Sequence, residues 1–137
     1  MALTHLVDTS VLTRIARPQV QLALEPLMWS GSIARAGISD LEIGFSARHS
    51  AEWDRLAEAI NSFPLVETTK AHFRRATQVQ RLLIERELSG PKIPELLVAA
   101  AAEILGLVLL HYDANFDLLA QATGQPTTWV VPAGEID

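Results

Sequence analysis

Short apolar runs alternate along this chain with longer stretches in which apolar residues recur every three or four positions. The run THLVD reads as a buried strand ending at Asp8. TSVLTRIA follows with helical spacing, with Thr9 or Ser10 as its cap and Pro18 as its stop, and residues 19–29 continue as a second helix. SIARAGIS is compatible with a strand over residues 32–38. SDLEIGFSAR then opens a helix with Ser39 as N-cap and Glu42 three residues on, the spacing of a capping box. Residues 50–62 place Trp53, Leu56, Ala57 and Ile60 on one helical face, and FPLVE reads as a short strand. TKAHFRRATQVQRLLIEREL is a long basic helix closed by SGP. IPELLVAAAAEILG is a helix with Pro94 in its first turn and Gly106 after its last. LVLLHYD is a buried strand, ANFDLLAQATG a short helix ending at Gly124, and TTWVV a final strand before Pro132.

Strands alternating with helices over the whole length predict βαβ units and a mostly parallel sheet covered on both faces. The 137 residues suit a single domain, 1–137, with one continuous organisation and no repeat or linker. Hydrophobic residues make up 49% of the chain and aromatic residues only 6%, so the core is aliphatic. The alanine run from Ala99 to Ala102 fits a helix that lies close against the sheet. LLVAAAAEILGLVLL is interrupted by Glu103 and Gly106 and is too short to cross a bilayer, which takes roughly 20 apolar residues. The start, MALTHLVDTS, lacks the basic region and long apolar run of a secretory leader. With no cysteine there are no disulfides, thiolate metal sites or Cys nucleophiles, and a cytoplasmic home is expected.

Charge changes the picture more than composition does. The net charge is −5, yet all eleven Lys and Arg lie between Arg14 and Lys92. Beyond them stand only Glu95, Glu103, Asp113, Asp117, Glu135 and Asp137. A locally basic surface beside an acidic centre is one reading of this asymmetry, and an ordinary solvated surface is the other.

The acids fall at strand ends and helix starts. Asp8 ends the first strand, Glu42 lies early in the helix after the second, Glu95 begins the alanine-rich helix, and Asp113 ends LVLLHYD. In an open parallel sheet these places share one edge, where ligands bind. Each acid alone reads as a cap or a complement to a helix dipole before it reads as a ligand. Four aimed at one crevice repel one another unless a cation is present, and an all-oxygen set suits Mg²⁺ or Mn²⁺. No histidine pair has zinc spacing, and neither GxxxxGK nor GxGxxG occurs, so nucleotide binding has no support. His5 and His111 fall in strands as core or near-core residues, and packing explains Trp29, Trp53 and Trp129.

LVDTSVL, SDLEIGFSAR, IPELLVAAAAE and LLHYDANFDLLAQATGQPTTWVVP occur in the order seen in PIN-domain proteins, and the chain most resembles the VapC toxins among them. The resemblance spans nearly the whole chain. It implies a three-layer α/β/α sandwich with a mostly parallel central sheet. It also implies a Mg²⁺- or Mn²⁺-dependent endoribonuclease that cleaves structured RNA, tRNA or rRNA, and that a cognate VapB antitoxin neutralises. An antitoxin arginine entering the acidic pocket and a homodimer are further implications; no membrane partner is expected.

Residue by residue, Asp8, Glu42, Glu95 and Asp113 match the family's catalytic, metal-holding acids. Asn115 falls where some members carry a further acid, and Asp117 is a further candidate ligand on the same turn. Glu95 stands where the family has Asp, one methylene longer. The alternative expectation is therefore a catalytically impaired PIN-like module that binds antitoxin or RNA without cutting. A receiver-type domain is disfavoured because the chain lacks an adjacent acidic pair and a late-strand lysine. Arg14, Arg17, Arg48, His49, Arg74, Arg75 and Arg81 are the candidates for gripping RNA phosphates.

Overall fold

The computed structural model describes residues 2–137. The chain runs β1 (His5–Val7), α1 (Thr9–Leu12), α2 (Pro18–Trp29), β2 (Ile33–Ala36), α3 (Gly37–Phe45), α4 (Ser50–Ile60), β3 (Leu65–Val66), α5 (Lys70–Glu85), α6 (Ile93–Leu105), β4 (Val108–His111), α7 (Asn115–Thr123) and β5 (Thr127–Trp129). All the strand pairs are parallel, in the order β3-β2-β1-β4-β5. β1 pairs with β2 on one side and β4 on the other, with His5 beside Ile33 and Val108. The chain therefore winds one way from β1 to β3 and then crosses back to β4. Such a reversal opens a crevice beyond the strand C-termini, here between β1 and β4.

The two-residue period of the strands sends alternate side chains to opposite faces. Leu6, Ala34 and Leu109 pack with the alanine run of α6, with Val79 and Leu83 of α5, and with Phe116 and Leu119 of α7. Val7, Ile33 and Leu110 pack with Val11, Leu12, Val20, Leu24, Ile43 and Phe63 on the other face. The result is the expected α/β/α sandwich. Leu96 to Ala102 are all buried, because the small side chains let α6 sit between the sheet and α5. Gly106 ends α6 in the left-handed region at φ 70°, where a side chain would be strained.

Three local expectations are corrected. The first helix is a single turn capped by Asp8, whose carboxylate accepts from Ser10 N, and Pro18 opens α2 rather than only ending what precedes it. β2 stops at Ala36, and α3 begins at Gly37 with no side-chain cap, so Ser39 and Glu42 form no capping box. Ser39 is instead completely buried within α3, and its hydroxyl is taken up elsewhere. Trp29 is 82% exposed and does not pack within the chain.

Candidate active site

Each acid of the crevice is placed by a different element. Asp8 follows β1 directly and its backbone N–H is held by Leu110 O of β4 at 2.9 Å, so the carboxylate sits at the switch point. Being the cap of α1 buries it to 4% exposure. Burial pushes its pKa from 3.8 up to about 6, against the Ser10 hydrogen bonds that favour the ionised form; the charge of Glu42 adds to the rise.

Glu42 reaches the same place from the second turn of α3. Thr9 Oγ1 donates to Glu42 Oε1 at 2.7 Å and lies 2.9 Å from the buried Ser39 Oγ. Thr9 therefore aims an acid instead of capping a helix. Ser10 serves the scaffold, since its hydroxyl accepts from Tyr112 N at 2.9 Å and ties α1 to the end of β4.

Glu95 lies in the first turn of α6, where Oε1 accepts from Lys92 N at 2.8 Å. Asp113 follows β4 and accepts from Asn115 N at 2.9 Å. Burial, and then Asp113 within hydrogen-bonding reach, raise the Glu95 pKa, while the donors Lys92 N and Asn115 oppose the rise. Asp8, Glu42, Glu95 and Asp113, with Thr9, Ser10 and Thr13, line one cleft of about 180 Å³.

The cleft thus gathers four of the six predicted ligands. Asn115 turns its amide nitrogen onto Glu95 Oε1 and Gly90 O, at 3.1 and 3.2 Å. Asp117 is exposed and accepts from Trp129 Nε1 at 3.2 Å, away from the cleft lining. Among the described residues no three His, Asp or Glu side chains close around one centre. Thr9 holds one oxygen of Glu42, Lys92 N and Asn115 hold one oxygen of Glu95, and like charges keep the four carboxylates apart.

His111 sits under the site, completely buried. Nδ1 accepts from Asp113 N at 3.3 Å, which leaves the proton on Nε2, an atom without a partner among the described residues. Its ring lies 5.0 Å from both Phe116 and Trp129. Burial lowers its pKa, so it packs as a neutral ring.

Most of the expected phosphate grips are engaged within the protein. Arg14 donates to Ser10 O at 2.6 Å and Asp137 O at 2.7 Å, and lies 4.9 Å over the Tyr112 ring. Arg17 pairs with the Asp137 carboxylate. Arg75 grips Glu103 through two hydrogen bonds, Arg48 pairs with Glu52 and Arg81 with Glu85. His49 caps α4 by accepting from Glu52 N. Arg74 makes no ion pair among the described residues. Sequence reasoning passed over Lys92, which is exposed beside Glu95 and also without an ion pair among them. Its signal was available: it is the last basic residue before the acidic stretch.

No family model matches the chain. Individual proteins do. It is 57% identical over 137 residues, 100% of both chains, to Ribonuclease VapC51 of Mycobacterium tuberculosis. It is 38% identical over 136 residues to Ribonuclease VapC21 of the same organism, covering 98% of this chain and 99% of that one. Among solved structures, DNA-bound VapBC from Salmonella typhimurium matches with a TM-score of 0.78 at 13% identity, over 94% of this chain and 99% of that chain. VapBC-5 from Mycobacterium tuberculosis matches with a TM-score of 0.68 at 18% identity, over 93% and 98%. The structural matches share the fold, and the end-to-end sequence identity carries the relationship further: the chain belongs to the VapC family of ribonucleases.

Proposed function

We propose that this VapC ribonuclease is a metal-dependent endonuclease toxin that cleaves structured RNA and is neutralised by a cognate VapB antitoxin. The observation that carries the reading is the convergence of Asp8, Glu42, Glu95 and Asp113, from four separate places in the chain, on one cleft. The donor set is all oxygen, and Asp8 is buried enough that its charge is costly without a counter-charge. Both features fit a hard divalent cation, Mg²⁺ or Mn²⁺. When bound, such an ion supplies an activated water and offsets charge on the phosphoryl oxygens.

The chain's own residues do the rest. Asp8 and Asp113, rigidly seated at the ends of adjacent parallel strands, fix one side of the site. Thr9 keeps Glu42 turned toward it. Lys92 is exposed and its backbone N–H holds Glu95, so its ammonium is the candidate to meet a phosphate beside the acids. tRNA or rRNA is the proposed substrate.

Two surfaces support the proposed partners. An apolar groove of about 310 Å³, lined by Leu12, Ile15, Ile43, Leu56 and Ile60, shares Thr13 and Glu42 with the lining of the acidic cleft. An antitoxin segment lying there would deliver a cationic side chain to the acids. On the far side, α5 exposes Phe73 and Ile84, which supports self-association as a homodimer. In the described residues no helix is long and apolar enough to cross a membrane, and a cytoplasmic location is the proposal that goes with this reading.

The test is direct. Folded, antitoxin-free protein with Mg²⁺ or Mn²⁺ is expected to cut cellular RNA at defined positions, read by sequencing the new ends. No cleavage under those conditions would leave only a binding module. Glu95→Asp separates the two cases. Because the structure already seats the longer side chain in the cleft, the substitution is expected to change cleavage by less than about tenfold. A large gain in both metal affinity and cleavage would show that Glu95 impairs the site.

A further inference from the structure

Asn115 was expected among the ligands, yet its geometry gives it a different task. Both hydrogens of its amide nitrogen are used, one on Glu95 Oε1 at 3.1 Å and one on Gly90 O at 3.2 Å. Flipping the amide would set its oxygen against a carboxylate and a carbonyl, two acceptors with no proton between them, so the orientation is fixed. Its oxygen then lies against Gly90, where an added Cβ would stand only 2.7 Å away. Gly90 also has φ 135°, a conformation that side chains rarely adopt. The glycine makes the space into which Asn115 fits, and the oxygen is directed to the 89–92 loop instead of the cleft.

The same contacts decide how Glu95 presents itself. Lys92 N and Asn115 Nδ2 both donate to Oε1, and among the described residues no donor reaches Oε2. One oxygen is thereby held by the protein, and the other is left for the cleft that Glu95 lines together with Asp113. The hydrogen bonds fold the longer side chain back along the start of α6. That absorbs the extra methylene which separates Glu95 from an aspartate.

We propose that Asn115, seated on Gly90, is a positioning residue that presents one oxygen of Glu95 to the metal site and is not itself a ligand. The inference rests on the metal-binding reading above. It explains why an amide serves at this position. An aspartate there would lose both donors and repel Glu95.

Asn115→Asp is nearly isosteric and gives opposite outcomes for the two roles. Mn²⁺ binding is measured by calorimetry on wild type, Asn115→Asp, Glu95→Asp and the double variant, with thermal unfolding as a check on folding. A positioning role predicts that Asn115→Asp weakens Mn²⁺ binding by about tenfold or more, the usual cost of losing an outer partner of a ligand. It also predicts that the substitution has little effect in the Glu95→Asp background, because the shorter side chain no longer reaches Asn115. Unchanged or tighter binding by Asn115→Asp would show that the amide donor does not position Glu95 and would overturn the inference. So would equal losses in the two backgrounds. Gly90→Ala, which displaces Asn115 without changing any acid, is expected to weaken Mn²⁺ binding in the same direction. If wild type itself binds no Mn²⁺, the metal-binding reading falls and this inference with it; if wild type binds and the variants miss the pattern, only this inference falls.

Discussion

Asp8→Asn is expected to abolish RNA cleavage and, with metal removed by chelator, to make the protein more stable than wild type at neutral pH. The two effects share a cause. Asp8 is 4% exposed, and burial pushes its pKa from 3.8 up to about 6. A carboxyl group with a raised folded-state pKa holds its proton more tightly in the folded protein than in the unfolded chain. Its contribution to stability is therefore greatest below pH 3.8 and falls as pH rises through 6, opposite to an ordinary paired carboxylate. The shift corresponds to a penalty of up to about 3 kcal/mol once Asp8 is ionised. Asparagine keeps an oxygen for Ser10 N and carries no charge. Urea titrations in chelator should show the variant gaining over wild type between pH 4 and 6 and holding that gain above. Saturating Mg²⁺ should then stabilise wild type and leave Asp8→Asn unmoved, since only a ligand that prefers the folded state shifts the equilibrium. A pH-independent difference, or a variant less stable than wild type at pH 8, would show that the buried charge is not what strains this cleft.

That strain explains which parts of the site were readable in the sequence. Asp8 and Asp113 were legible because a strand that ends in an acid leaves few choices about where the acid points. Parallel pairing of β1 with β4 then brings the two together. Glu95 was legible for a related reason, since a proline and an acid in the first turn locate a helix start. Glu42 was placed on the correct edge with the wrong local account. Its spacing from Ser39 is that of a capping box, but α3 begins three residues earlier than that motif requires. Both side chains then face Thr9, a partner 30 or more residues distant in the chain. Periodicity reports only neighbours along the chain and cannot show a hydroxyl arriving from another element. The same limit hid the engagement of Arg14 and Arg17 by Asp137, and the fit of Gly90 against Asn115. What the pattern of residues conveyed was layer, order and edge. What tertiary contacts decided was which oxygen faces the cleft.

The largest loss of stability is expected where the core and the site share a residue, at Phe116. Its side chain is completely buried, among Leu109, Leu119 and the alanine face of α6, and its ring lies 5.0 Å from that of His111. Its backbone N–H donates to Asp113 O at 3.1 Å, within the turn that carries both Asp113 and Asn115. Phe116→Ala removes a fully buried ring and leaves a cavity beside the alanine face of α6, whose short side chains do little to refill it. The expected cost is about 3–5 kcal/mol, near the upper end for such truncations. Against the roughly 5–15 kcal/mol that holds a domain of this size together, that leaves little margin, and the melting temperature should fall by about 10–20 °C. Phe116→Leu, which refills most of the volume, should recover more than half of the loss. The two variants also separate packing from chemistry. Below its melting point Phe116→Leu should bind Mn²⁺ nearly as well as wild type, because the Asp113 and Asn115 hydrogen bonds do not involve the ring. Phe116→Ala should bind more weakly, as the turn loses the anchor that holds it against the sheet. A cost under about 1 kcal/mol for Phe116→Ala would mean that α7 and α6 close the gap, and that the turn is held by its hydrogen bonds alone.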